Sequence, residues 1–116
     1  SMSRARVNEM CRLLPGAERS EPWGDGRDAW KVGGRLFAAV GPEGGAVAVR
    51  TAGAEEAEGL VAAGLARRAP DLDAAWVALP LAAEEAELHH RVATSYEVVR
   101  KGLPRRVQAT LDPTSG

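Results

Sequence analysis

Ala29-Trp30-Lys31-Val32-Gly33-Gly34-Arg35-Leu36-Phe37-Ala38-Ala39-Val40 is the stretch on which the fold turns. Two β-like runs flank a glycine pair, and both central residues of a tight primed turn need positive φ, which glycine adopts without steric cost. The stretch therefore predicts an antiparallel hairpin. Immediately after it, Gly41-Pro42-Glu43-Gly44-Gly45 reads as a second turn and Ala46-Val47-Ala48-Val49-Arg50 as a third strand. Alternation places Val47 and Val49 on the core face of that strand and Arg50 on the other. Three strands joined by short turns make an antiparallel meander.

Outward from the meander the periodicity changes to helical. Ser3 suits an N-cap, and Val7, Met10, Cys11 and Leu14 fall at i, i+3, i+4 and i+7 before Pro15-Gly16 stops the helix. The segment from Ala17 to Arg27 is polar and broken by Pro22, Gly24 and Gly26, so it reads as a loop whose one large apolar anchor is Trp23. Ala54 to Arg68 reads as a second helix, acidic at its start and basic at its end, with Leu60, Val61, Gly64 and Leu65 as its buried stripe. Ala75 to Leu79 predicts a fourth strand. Ala82 to Lys101 predicts the longest helix, with Leu88, Val92, Ser95 and Val99 on one face and Tyr96 beside them. Leu103-Pro104-Arg105-Arg106 is expected to end the ordered domain, and Asp112 to Gly116 to fray.

Composition bounds the function. A chain of 116 residues fits one domain, spanning 1–116, that buries a single core. No apolar run approaches the ~20 residues of a membrane helix, so no membrane partner is expected. The single cysteine, Cys11, excludes an internal disulfide and fits a reducing, cytoplasmic compartment. Net charge is -1 with pI near 6.1, where nucleic-acid binders usually carry a positive excess. Any basic surface is therefore local.

Two local basic surfaces stand out. Lys31 and Arg35 flank the Gly-Gly turn, and Arg50 is expected on the outer sheet face, so a protruding hairpin would present cations to phosphates. The alternative is a solvated face that discourages edge pairing. Arg105 and Arg106, with Arg100 and Lys101, form a second cluster, which also suits the C-terminal end of a helix dipole. Trp23, Trp30 and Trp76 are candidates for lining a ligand groove, and equally for filling the core. His89 and His90 sit among Glu84, Glu85 and Glu87, but a carboxylate–histidine metal site needs several such helices, and these are the only histidines. No metal or other cofactor is expected. Ser95 and Thr94 have no histidine at a telling spacing, and the glycine turns lack a phosphate-loop lysine. No enzyme is expected.

The order of these elements resembles the MmcQ/YjbR-like family, a bacterial domain of unknown function. The resemblance rests on Cys11-Arg12-Leu13-Leu14-Pro15-Gly16, on Trp23-Gly24, and on Trp30-Lys31-Val32-Gly33-Gly34-Arg35-Leu36-Phe37-Ala38, similar to the family's F-K-V-G-G-K-M-F-A hairpin. It continues through Trp76, Ser95-Tyr96-Glu97-Val98-Val99 and Leu103-Pro104-Arg105-Arg106. Where relatives commonly carry a basic or histidine-containing stretch before the Trp of the fourth strand, this chain has Leu72-Asp73-Ala74-Ala75. The resemblance implies an α+β fold of the double-wing kind and DNA as partner.

The expectation is an α+β domain: a helix, an antiparallel four-stranded meander-type sheet, and two further helices packed on one face. Its expected function is DNA binding through the basic hairpin, with Lys31, Arg35, Arg50, Arg105 and Arg106 as contacts. The alternative is a non-enzymatic module that binds a small molecule or protein near Trp23, Trp30 and Trp76. A monomer or weak homodimer is expected.

Overall fold

The computed structural model describes residues 3–112. Ten elements follow one another: α1 (Arg4–Arg12), β1 (Glu18–Ser20), β2 (Asp28–Val32), β3 (Arg35–Val40), β4 (Ala46–Arg50), α2 (Ala54–Ala62), β5 (Arg67–Arg68), β6 (Trp76–Pro80), α3 (Glu85–Lys101) and α4 (Arg105–Leu111). The strands form one antiparallel sheet in the order β1-β2-β3-β4-β6-β5. The fold is thus α+β, with six strands rather than four. The two extra strands are edge pieces of three and two residues, all polar and exposed, so no apolar alternation announces them.

The central hairpin forms as its glycines dictate, with Gly33 at φ 57 and Gly34 at φ 82. Register places Ala38 opposite Trp30 but Leu36 opposite Lys31. Phe37 is therefore an extra residue, a β-bulge that turns both Phe37 and Ala38 toward the helices. Phe37 meets Tyr96 of α3 edge to face, ring centroids 5.5 Å apart. Val32, Val40, Val47, Val49, Val77 and Leu79 share this face with Val7, Cys11, Leu88, Val92 and Val99 of α1 and α3. Burial pushes the Cys11 thiol up to about 12, so it packs as a small hydrophobe. No helix among the described residues is long and apolar enough to cross a membrane.

Three expected boundaries move. The second helix ends at Ala62 rather than Arg68, because Gly64 takes φ 75. Leu65 N–H then donates to Leu60 C=O and Gly64 N–H to Val61 C=O, each at 3.0 Å, the paired bonds of a Schellman cap. Leu65 is left 48% exposed instead of joining the stripe, and Arg67 and Arg68 pair with β6. The chain also does not lose order after Arg106. α4 follows Pro104 and packs Val107 and Leu111 against the core. Asp112 is held by Arg100 (Nη1–Oδ1 2.9 Å), while residues 113–116 of the expected frayed tail lie outside those described.

Candidate functional site

The face of the sheet opposite α1 and α3 carries a row of small side chains. Ala39 of β3 pairs with Ala48 of β4, which pairs with Ala78 of β6. Each alternates with a core residue, so all three methyls lie at one level on the open face. Larger side chains there would fill the surface; alanines leave a trough. The cavity measures about 150 Å³ and is floored by Ala39, Ala46, Ala48, Ala78 and Gly41.

Two loops wall it. One carries Trp23 and Arg27, the other Ala69, Pro70, Asp71 and Leu72. Trp23 is 38% exposed. The Arg27 guanidinium covers one face of its indole, 4.3 Å from the ring centroid. Asp25 fixes that guanidinium: its Oδ2 accepts from Arg27 Nε and Nη2, both at 2.9 Å, and its Oδ1 accepts from the Arg27 backbone N–H at 3.1 Å. These bonds from Arg27 hold the Asp25 carboxyl below the usual carboxylate range. Across the trough, Arg27 Nη1 faces Asp71 Oδ2 at 3.7 Å. Asp73 accepts from the Ala75 N–H at 2.9 Å and turns the chain into β6.

Trp76 is buried on the same face, beside a groove that shares Ala69, Pro70 and Leu72 with the trough. Trp30 is not part of this site. It lies on the helix side, where its Nε1 donates to Asn8 Oδ1 at 2.8 Å. Asn8 in turn donates to the buried Asp28, which also accepts from Arg4 (2.7 Å) and Arg19 (3.0 Å).

The basic residues fall into two groups on different faces. Lys31 pairs with Leu36 and Arg50 with Trp76, placing both on the open face; Lys31 also stands opposite Glu18 of β1. Arg35 pairs with the core residue Val32 and points toward the helices. A methyl on Gly102, at the end of α3, would lie 3.7 Å from Arg35 Nη1. The hairpin tip does not protrude freely: a methyl on Gly33 would lie 2.6 Å from Leu103 and 3.2 Å from Val107. Docking there brings Arg35 to the elbow between α3 and α4, where Lys101 and Arg105 line a shallow groove and Arg106 is exposed beside them. Among the described residues, no carboxylate lies within 4 Å of Lys31, Arg35, Arg50, Lys101, Arg105 or Arg106. Arg100 belongs to neither group, being tied to Asp112 and the Tyr96 hydroxyl.

The YjbR family model matches residues 12–98, three quarters of the chain and all of the sheet. The chain belongs to the YjbR family. A crystal structure of the Deinococcus radiodurans protein DR2400, with a DUF419 domain, superposes on this YjbR-family chain with a TM-score of 0.78 at 22% identity. The match covers 97% of this chain and 91% of that one, and it bears on the fold alone. No curated protein matches the chain.

Among the described residues of this YjbR-family chain, no group of three His, Cys, Asp or Glu side chains could hold a metal ion. Glu85 pairs with Arg6 instead, and Glu87 leans toward Arg91. Sequence reasoning found Trp23 but missed the alanine floor. The signal was present in Ala46-Val47-Ala48-Val49, whose alternation sets small residues against the valines of the core.

Proposed function

We propose that this YjbR-family protein is a non-catalytic binding module that holds a small, flat, apolar group in the trough between Trp23 and Pro70–Leu72. The alanine-floored cavity supports this reading. Its ~150 Å³ matches the size that takes one benzene-sized ring. An indole wall and a few rim polar groups are the usual composition of a small-molecule site. The side chains that line it offer no nucleophile beside a base.

Benzyl alcohol tests the idea by NMR, read on the Trp23 indole N–H signal, which Trp23→Phe identifies. Saturable shifts with Kd near 1 mM are expected, on the order of -4 kcal/mol. Ala48→Leu fills the floor and should abolish them. Shifts that never saturate, or that survive Ala48→Leu unchanged, would sink the reading.

A second reading is DNA binding, and one observation favours it: the elbow gathers Lys101, Arg105 and Arg106 near Arg35, with no carboxylate among the described residues within 4 Å of any of them. In that reading the contact surface is the α3–α4 elbow with the hairpin tip clasped against it. Lys31 and Arg50, on the other face, stand apart from it.

A further inference from the structure

The side chains that line the trough carry one charge of each sign. Arg27 and Asp71 are the charged groups of that lining; Asp25 stands behind Arg27, and Arg67, paired with Ala78, lies further along the same sheet face. Arg27 has already spent Nε and one Nη2 hydrogen on Asp25, and its planar face on Trp23. An arriving carboxylate would find the Nη1 hydrogens and the second Nη2 hydrogen, with the Asp71 carboxylate beside them.

Asp71 is placed differently. Its side chain is 77% exposed, and its one charged contact among the described residues is the 3.7 Å approach to Arg27. That separation exceeds hydrogen-bond length, so Asp71's oxygens can accept from a ligand. The cavity itself is lined by alanines, glycine, proline and leucine, which suit the apolar part of the same ligand.

Resting on the reading of the trough as a small-molecule site, we propose that its ligand class is a small ring bearing a protonated amine or amidine. The ring lies on the alanine floor beside Trp23 and the cation is held by Asp71. Recognition divides between two surfaces: the floor and the indole accept the ring by shape and burial, and Asp71 selects for charge. Arg27, locked by Asp25, keeps the Trp23 wall upright, and the carboxylates of Asp25 and Asp71 on either side of it disfavour an anion at the mouth.

Three probes of nearly equal shape separate these contributions: benzylammonium, benzyl alcohol and benzoate. Each is titrated at pH 7 and low salt against the intact protein and against Asp71→Asn, read on the Trp23 indole signal. Benzylammonium should bind two- to fivefold more tightly than benzyl alcohol, the range of a partly exposed ion pair. Benzoate should bind most weakly. Asp71→Asn should retain benzyl alcohol binding and lose the preference for the cation. Equal binding of all three, tightest binding of benzoate, or a cation preference that survives Asp71→Asn overturns the charge assignment and leaves the trough as a site. A Trp23 signal indifferent to all three overturns the site and this inference with it.

Discussion

Ser95 sits in the middle of α3, fully buried among apolar side chains, and its hydroxyl bridges two strands. Its Oγ accepts from the Arg50 N–H at 2.8 Å and donates to the Phe37 carbonyl at 2.6 Å. The bulge at Phe37 is why this is needed. An extra residue on β3 leaves backbone groups without a ladder partner, and a buried unpaired group costs about as much as a lost hydrogen bond. Ser95→Ala removes the bridge and orphans both groups, at ~1–3 kcal/mol for each left unsatisfied. Urea unfolding should show that loss, while Thr94→Ala, one residue away, should stay within about 0.5 kcal/mol of the parent. A Ser95→Ala midpoint unchanged from the parent would mean that water or strand relaxation satisfies these groups. The sequence placed Ser95 on the buried stripe of its helix. It could not show the bridge, because a bulge is set by register between strands and leaves no pattern of its own.

The hairpin is the element on which local chemistry and tertiary docking meet. Gly33 and Gly34 both adopt positive φ, so an alanine at either is strained by ~1–2 kcal/mol. They differ in their surroundings. A methyl on Gly34 meets nothing within 4 Å, whereas one on Gly33 lies 2.6 Å from Leu103 Cδ1 and 3.2 Å from Val107 Cγ1. Gly33→Ala should therefore be the more damaging, lowering Tm further than Gly34→Ala and loosening α4 as well as the turn. Hydrogen exchange on the α4 amides reads the second effect directly; equal protection in the two variants would mean the tip does not bear on α4. The contrast also explains which elements could be read in advance. β2, β3, β4, α1 and α3 carry periodic apolar patterns or paired glycines, so each announces itself. β1 and β5 are polar pieces of two or three residues, defined only by the strand beside them. α4 has a single apolar pair, Val107 and Leu111, four residues apart, too little for a periodicity. The trough has the same origin: its floor is legible strand by strand as alternating alanines, but its walls come from loops whose approach no local pattern encodes.

Over the whole molecule, what matters is how charge is distributed rather than its sum. Net charge is -1, yet the acids are spent unevenly. Arg4, Arg6, Arg12, Arg19, Arg27, Arg91 and Arg100 each have a carboxylate within 4 Å. The elbow cations do not, so their field extends into solvent. In the nucleic-acid reading this surface makes sequence-independent phosphate contacts, whose strength falls with salt as about -0.9 per contact on a double-logarithmic plot. Three or four cations then predict a slope near -3 and a Kd on the order of 10⁻⁴–10⁻⁶ M at physiological salt. Fluorescence anisotropy of a labelled duplex across a salt series tests this with two variants, each checked by thermal melting for an intact fold. Lys101→Ala/Arg105→Ala/Arg106→Ala should flatten the slope and weaken binding about tenfold or more. Lys31→Ala/Arg50→Ala, on the opposite face, should change neither by more than about twofold. If the second variant proves the more damaging, the open sheet face is the contact surface and DNA would lie over the trough, making ring ligands and duplex competitors. If the parent protein fails to bind even at low salt, the unpaired elbow cations do not serve DNA, and the trough stands alone as the site.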